Sequence, residues 1–412
     1  MRQALAPLRE RNFAWFFGSQ FVNMSGSMMA GVALAFAILE VSDSASAIGQ
    51  VLAARTIPMV VFMLWGGVIA DRFSRALVIR LSNLMSALTQ GAVAYLVLSG
   101  QAELWMIIVL EAINGTTAAV SLPAMDGMVP QLVSRAQLQP ANVLLSMSRG
   151  VLAVIGPSAA ALLVVTVGPG WALAVDAMTW LVAAALMVRV RIPTREPREG
   201  ALKPSTLREL REGWEVFTGL RWLWVTVTSA AVLNAIFIGS LFTIGPALAD
   251  QTIGADGWGY AMSAWALGLL AMSIVLLRVS IRRPLRAGMI ALSLLGIPLV
   301  TYGLEPAVVP LAVTLFIAGA GMQVFILGWD LAMQENIDET MLSRVSAYDG
   351  VGSFVAMPVG QLIYGPIGDT FGYREVFVVS GIVYAAICVL TLASRSVRDL
   401  GRPAAAEQAA TT

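Results

Sequence analysis

Twelve apolar runs alternate along this chain with short polar connectors. They fall at about 13–39, 47–70, 77–98, 104–124, 142–167, 171–188, 222–249, 258–277, 286–304, 306–329, 345–367 and 376–394. About 20 helical residues at 1.5 Å each cross roughly 30 Å of hydrocarbon, so each run predicts a transmembrane helix. The longest polar interruption, residues 189–221, divides the runs six and six. Within it Leu207, Leu210, Trp214 and Phe217 recur at helical spacing among Arg208, Glu209, Arg211, Glu212 and Glu215, and Thr206 with Glu209 forms a capping-box pattern. The spacing predicts a short amphipathic helix on the inner leaflet, the aromatic pair favouring this over a solvated linker.

The two halves are related. A shift of 204 residues places Gly156 on Gly360 and Gly168 on Gly372, and a shift of 210 places Arg11 on Arg221. The expected architecture is an all-α integral membrane protein whose twelve transmembrane helices form two pseudo-symmetric six-helix bundles, residues 1–188 and 222–394. The linker 189–221 joins them and a tail, 395–412, follows. A binding site between the bundles near the membrane midplane is the corresponding expectation.

Composition narrows the chemistry. Hydrophobic residues make up 58% of the chain and charged residues 12%, against about 25% charged in soluble domains. Mean hydropathy is +0.78. The chain has no histidine and a single cysteine, Cys388, inside an apolar run. That argues against a disulfide framework, a Cys or His metal site and histidine acid–base chemistry, and leaves carboxylates to carry any proton traffic. The only lysine, Lys203, lies in Leu202-Lys203-Pro204, so no Gly-Lys-Ser/Thr phosphate loop exists. No cofactor, metal, nucleotide or nucleic-acid partner is expected; the partners are the lipid bilayer, a small-molecule substrate and protons. Residues 1–12 are basic and lead into an uncharged run from Asn12 to Leu39, too long for the core of a cleavable signal.

Twelve crossings place both termini on one side, and the Lys and Arg count says which. Loops on that side hold 23 of the 26 basic residues and the opposite loops hold only Arg374. The asymmetry predicts a cell-membrane protein with both termini cytoplasmic. Arg55 and Arg149 lie inside apolar runs, as do Glu111, Asp176 and Asp349. An ionisable group at mid-membrane costs about 2.5–3.5 kcal/mol on the insertion scale, so these five are candidates for function. Arg55 and Glu111 sit at matching depths in the second and fourth runs. They are expected to form an ion pair, either static or coupled to protons or substrate. Arg149 and Asp349 lie nearer the cytoplasmic ends, where they could snorkel, and Asp176 has no obvious partner at its depth.

Between the second and third runs stands Gly67-Val68-Ile69-Ala70-Asp71-Arg72-Phe73-Ser74-Arg75. This stretch resembles the loop signature of the major facilitator superfamily, Gly-x-Leu-Ala-Asp-Arg-x-Gly-Arg-Lys. Gly67, Ala70, Asp71, Arg72 and Arg75 match, while Ile69, Ser74 and Ala76 depart from it. Helix count, cytoplasmic termini and central linker agree with that family over nearly the whole chain. The stretches 207–214, 130–132 and 138–142 are similar to the bacterial branch holding enterobactin exporters and macrolide efflux pumps. The resemblance implies a cytoplasmic gate built on Gly67, Asp71, Arg72 and Arg75. Asp71, at the carboxyl end of its helix, would need a partner: Arg72 and Arg75 are the local candidates, and the amino end of the eleventh helix, around Ser343 and Arg344, the distant one.

Gly156-Pro157 resembles part of the family's antiporter signature, with Leu152, Ala160 and Ala161 where other glycines belong; small-residue packing is the plainer reading. The family's first, fourth, seventh and tenth helices line the cavity. Gln20, Asn23 and Ser27 share one face of the first helix, and Asn234 and Gln323 are isolated amides in the seventh and tenth. They are cavity candidates, with helix–helix hydrogen bonding as the alternative. With 20 Met and 11 Trp available, such a cavity would be deformable and apolar. The expected function is secondary active export of small amphipathic molecules, drug-like or siderophore-like, by proton antiport and alternating access. A nutrient symporter or facilitator of the same fold is the alternative. An intramembrane aspartyl enzyme is disfavoured, because Asp349 and Asp369 lie near opposite ends of one run, roughly 30 Å apart at helical rise.

Overall fold

The computed structural model describes residues 6–42, 44–126, 128–134, 137–191, 206–276, 278–279 and 281–401. Side chains at 63–72, 123, 126, 139, 206–210, 212, 339–340, 343–344 and 347 are outside the description. Among the described residues every regular element is helical. Hydrocarbon offers no water to bond a free N–H or C=O, so a spanning segment must satisfy its backbone internally. After a 3-10 turn at Ala6–Arg9, the chain forms α1 (Arg11–Ser42), α2 (Ala45–Arg72), α3 (Arg75–Leu98), α4 (Leu104–Asp126), the single turn α5 (Val129–Leu132), α6 (Leu138–Val167) and α7 (Pro169–Met187). Next come α8 (Thr206–Gly219) and α9 (Arg221–Phe237), which continues through a π-helix at Ile238–Ile244 into α10 (Gly245–Asp250). The remainder is α11 (Gly254–Leu276), α12 (Pro284–Ser293), α13 (Gly296–Leu304), α14 (Val308–Asn336), α15 (Glu339–Phe354), α16 (Met357–Phe371), α17 (Tyr373–Ala393) and α18 (Arg395–Arg398).

Among the described residues, eleven stretches are long and apolar enough to cross a membrane, with α9 to α10 counted as one and α12 to α13 as another. The exception among the twelve predicted runs is 345–367, which is divided between α15 and α16 by a turn at Val355 and Ala356. Pro358, in the first turn of α16, has no N–H to offer the carbonyl of Phe354, so the helix restarts there.

The chain divides into two compact units, Met1–Arg195 with Gly245–Ser263, and Glu196–Ile244 with Ala264–Thr412. In the first, α2 packs on α4, α3 on α7, and α1 on both α6 and α7. Phe13, Phe16, Ile79, Met128 and Met187 are buried together at the end of this unit where α1 begins and α7 finishes. In the second, α12 packs on α14, α13 on α17, and α16 on α9 and the π segment. Helix α8 lies on α15. Trp214 and Phe217 stack 5.8 Å apart and meet Tyr348 at 5.5 and 6.0 Å, so the aromatic pair expected on the leaflet is engaged by protein.

The same close approaches recur in each unit. A Cβ added at Gly156 would run into Met28 of α1, and one at Gly360 into the backbone of Ala235 in α9. Likewise Gly115 of α4 meets the carbonyl of Arg55 in α2, and Gly319 of α14 meets that of Trp265 in α11. Gly168 and Gly372 each end one helix and start the next at φ of 92° and 91°, a conformation that favours glycine. Both units are therefore built on one pattern of helices that touch through glycine, as small residues allow in membranes.

Candidate functional site

The glycine contacts place the intramembrane charges of the first unit. Because Gly115 has no side chain, α4 comes against the backbone of Arg55, and Glu111 lies one turn earlier on the same face of α4. Arg55 Nη1 stands 3.7 Å from Glu111 Oε2, and Gln90 Nε2 of α3 donates to Glu111 Oε1 at 2.9 Å. Glu111 is 1% exposed. Asp176 of α7, also 1% exposed, is pressed against α1 at Gly26, where an added Cβ would strike it and Thr179. Neither of its carboxylate oxygens has a hydrogen-bond partner of good geometry; the groups acting on it are Arg55, Glu111 and the Trp180 indole one turn on.

The second unit shows that this packing does not require charge. A shift of 204 carries Glu111 to Leu315, which is fully buried, and Asp176 to Ser380, which bonds Tyr364 at 3.0 Å. The glycine contact that places Arg55 in one unit places Trp265 in the other. The same helix crossings thus form around neutral residues, and the charges are an addition to the scaffold.

Beside this cluster the first unit holds a cavity of about 540 Å³. On α1, Gln20, Asn23 and Ser27 repeat at helical spacing and share one face; on α6, Asn142, Ser146 and Arg149 do the same. Met24, Met28, Leu122 and Met125 give the cavity an apolar side, and Trp180 of α7 completes the wall. Ser27 Oγ donates to Asn23 Oδ1 at 3.0 Å. Arg149 is exposed, and among the described residues nothing pairs with it. The second unit has a smaller cavity, about 200 Å³, walled by Phe325, Trp329, Phe354 and Asn234 around Asp349. Trp329 Nε1 donates to Asp349 Oδ2 at 3.0 Å and Ser353 Oγ to Asp349 Oδ1 at 3.1 Å. Asn234 Nδ2 donates to the Ser353 carbonyl at 3.1 Å.

Of the residues singled out in the sequence, the structure brings together Arg55, Glu111 and Asp176 in one cluster, Gln20, Asn23 and Arg149 around one cavity, and Asn234 and Asp349 around another. Gln323 is half-buried on α14 and lines neither cavity. Gly156 faces α1, while the Pro157 carbonyl and Ala161 face Gly259 of α11, and Ser158 bonds Ser263 at 2.7 Å. The surroundings of Gly67 and the side chains of Asp71 and Arg72, and those of Ser343 and Arg344, the distant partner candidates for Asp71, lie outside the described residues. Ser74 is the N-cap of α3, accepting from the Leu77 amide at 3.4 Å, and Arg75 is the first residue of that helix. Sequence reasoning missed Gln90, Trp180, Asn142 and Ser146. The first is an amide in an apolar run, the same signal that marked Gln20. The last two were detectable only as companions of Arg149 on one helical face.

Comparison with known proteins agrees with this architecture. The family model described as Major Facilitator Superfamily matches residues 16–357. Macrolide efflux protein A of Streptococcus pyogenes is 24% identical over 403 residues, covering 94% of this chain and 97% of that protein. The enterobactin exporter EntS of Escherichia coli O1:K1 / APEC is 25% identical over 375 residues, 86% of this chain and 85% of that protein. A solved structure of a variant of the nucleoside transporter NupG superposes with a TM-score of 0.76 at 13% identity, covering 93% of this chain and 99% of that one. With a family model spanning most of its helices, this chain belongs to the Major Facilitator Superfamily, and it is a multi-pass membrane transporter rather than an enzyme.

Proposed function

We propose that the chain is a secondary active exporter of small amphipathic molecules, drug-like or siderophore-like, driven by proton antiport through alternating access. It sits in the cell membrane with both termini cytoplasmic. The observation that carries this reading is the place of Trp180: it walls the polar cavity and also adjoins Asp176 of the buried charge cluster. A ligand in the cavity and a proton on the cluster would therefore act on neighbouring groups. The cavity is formed by the first half of α1, the last turn of α4, the first turns of α6 and the second half of α7. Those ends belong with the arginine-rich connectors, and the positive-inside bias supports a cavity on the cytoplasmic side, where an exporter loads. Relatives whose names state efflux or export support the direction.

The experiment is accumulation of labelled amphipathic compounds by inside-out vesicles with an imposed acid interior. Accumulation should appear with the gradient and collapse with a protonophore. Glu111→Gln and Asp176→Asn should each lower gradient-driven accumulation at least ten-fold while leaving ligand binding within about two-fold. If both variants accumulate substrate with unchanged pH dependence, the cluster is a static structural element. Accumulation that runs only in right-side-out vesicles with an acid exterior would establish the nutrient symporter instead, and gradient-independent equilibration in both orientations would establish the facilitator.

A further inference from the structure

We infer that the cavity of the first unit is an anion-selecting site, and that the compounds it binds carry a carboxylate or similar anionic group held by Arg149 and an apolar body held by the methionines. This names the substrate class of the cavity and rests on the reading of that cavity as the loading site.

Arg149 is the only formally charged residue among the described residues that line the cavity. It is unmatched there by any carboxylate, whereas the other intramembrane arginine, Arg55, has Glu111 at 3.7 Å. A guanidinium facing a partly apolar cavity, with no counter-ion among the described residues, gains most from a bidentate oxyanion, for which its planar fork is shaped. The groups around it can complete such a site. Gln20 and Asn23, both buried against the helix bundle, and Asn142 and Ser146 supply amide and hydroxyl donors that bond oxygen atoms without adding charge, while Ser27 donates to Asn23 Oδ1 and leaves the Asn23 amide nitrogen free to turn to a ligand. Interleaved with these groups, Met24 and Met28 of α1, together with Met125 of α4, are polarisable and deformable, suited to ring systems of varied shape. The repeat again isolates the charge. The position 204 residues after Arg149 is Ser353, whose hydroxyl serves Asp349, so the second unit has no cation at the corresponding place.

Three fluorescent probes with one apolar body separate the outcomes: dansylglycine (anionic), dansylamide (neutral) and dansylcadaverine (cationic), titrated into the full-length protein in nanodiscs at pH 7.5. Dansylglycine should bind at least ten-fold more tightly than dansylamide, and dansylcadaverine most weakly. Arg149→Gln should remove the difference between dansylglycine and dansylamide while dansylamide itself shifts less than about two-fold. Arg149→Lys should restore most of the preference, which a merely structural arginine would not do. Ser146→Trp, which fills the cavity, should weaken all three probes together. Equal affinity for the three in the unaltered protein, tighter binding of dansylcadaverine, or a preference that survives Arg149→Gln would each overturn the anion assignment and leave the exporter reading standing. Failure of all three probes to bind would overturn the cavity as a loading site, and the inference with it.

Discussion

Arg55 and Glu111 illustrate how one residue pair can be built into a membrane without being needed by the fold. Their 3.7 Å separation depends on Gly115, which lets α4 reach the backbone of Arg55. Removing one partner leaves the other charge in hydrocarbon, costing on the order of 2.5–3.5 kcal/mol. The paired change Arg55→Leu with Glu111→Leu should therefore fold better in detergent than Arg55→Leu alone, and still not transport. Size-exclusion profiles and thermal midpoints check the first half, vesicle uptake the second. Ser74 is a second instructive residue. It stands where the family loop pattern has glycine, and in the structure it caps α3. Ser74→Ala should destabilise that helix start by about 1 kcal/mol, read as roughly five-fold faster amide exchange at Leu77 and Val78. Both effects are local, and only the depth match of Arg55 and Glu111 was legible in the sequence. The glycine that makes their contact possible was not, since nothing in a string of letters says which helix face Gly115 meets.

At the scale of the element, glycine decides how closely helices approach. Gly115→Ala would put a methyl group onto the Arg55 carbonyl, an overpacking expected to cost about 1–3 kcal/mol. Gly91→Ala on α3 meets only Ala177 Cβ at 3.8 Å, ordinary contact, and should be neutral or slightly stabilising. The pair of substitutions, compared by thermal midpoint in the same detergent, separates crossing geometry from helix propensity. The element boundaries repeat the lesson. Runs of apolar residues gave the helices because backbone satisfaction in lipid leaves no other option. The break at Val355 and Ala356 was hidden inside an apolar run, since a turn held within protein leaves no polar signature there. Pro358 was the available clue. The π-helix at Ile238–Ile244 had no such marker; Gly239 within it receives the Tyr364 ring, and Ser240 and Thr243 are buried.

At the scale of the molecule, duplication is what made the chain readable. Gly156 with Gly360 and Gly168 with Gly372 were visible as a 204-residue offset, and the structure assigns each pair the same task in its own unit. What duplication could not show was the candidate site, because the proposed function rests on positions where the copies differ: Glu111 against Leu315, Asp176 against Ser380, Arg149 against Ser353. The gate expected at Asp71 is tested on the whole protein: Asp71→Asn should lower transport at least ten-fold with ligand binding retained, and unchanged transport would remove the gate. Such measurements are favoured by the chain's sulfur chemistry. Cys388 is the sole cysteine, lies in α17 and is fully buried. A water-borne maleimide would pass it by, so the unaltered protein already serves as a silent background. Single cysteines placed at Ser27, Ser146 or Ser353 could then carry spin labels or fluorophores, and each cavity could be watched separately as the transporter turns over.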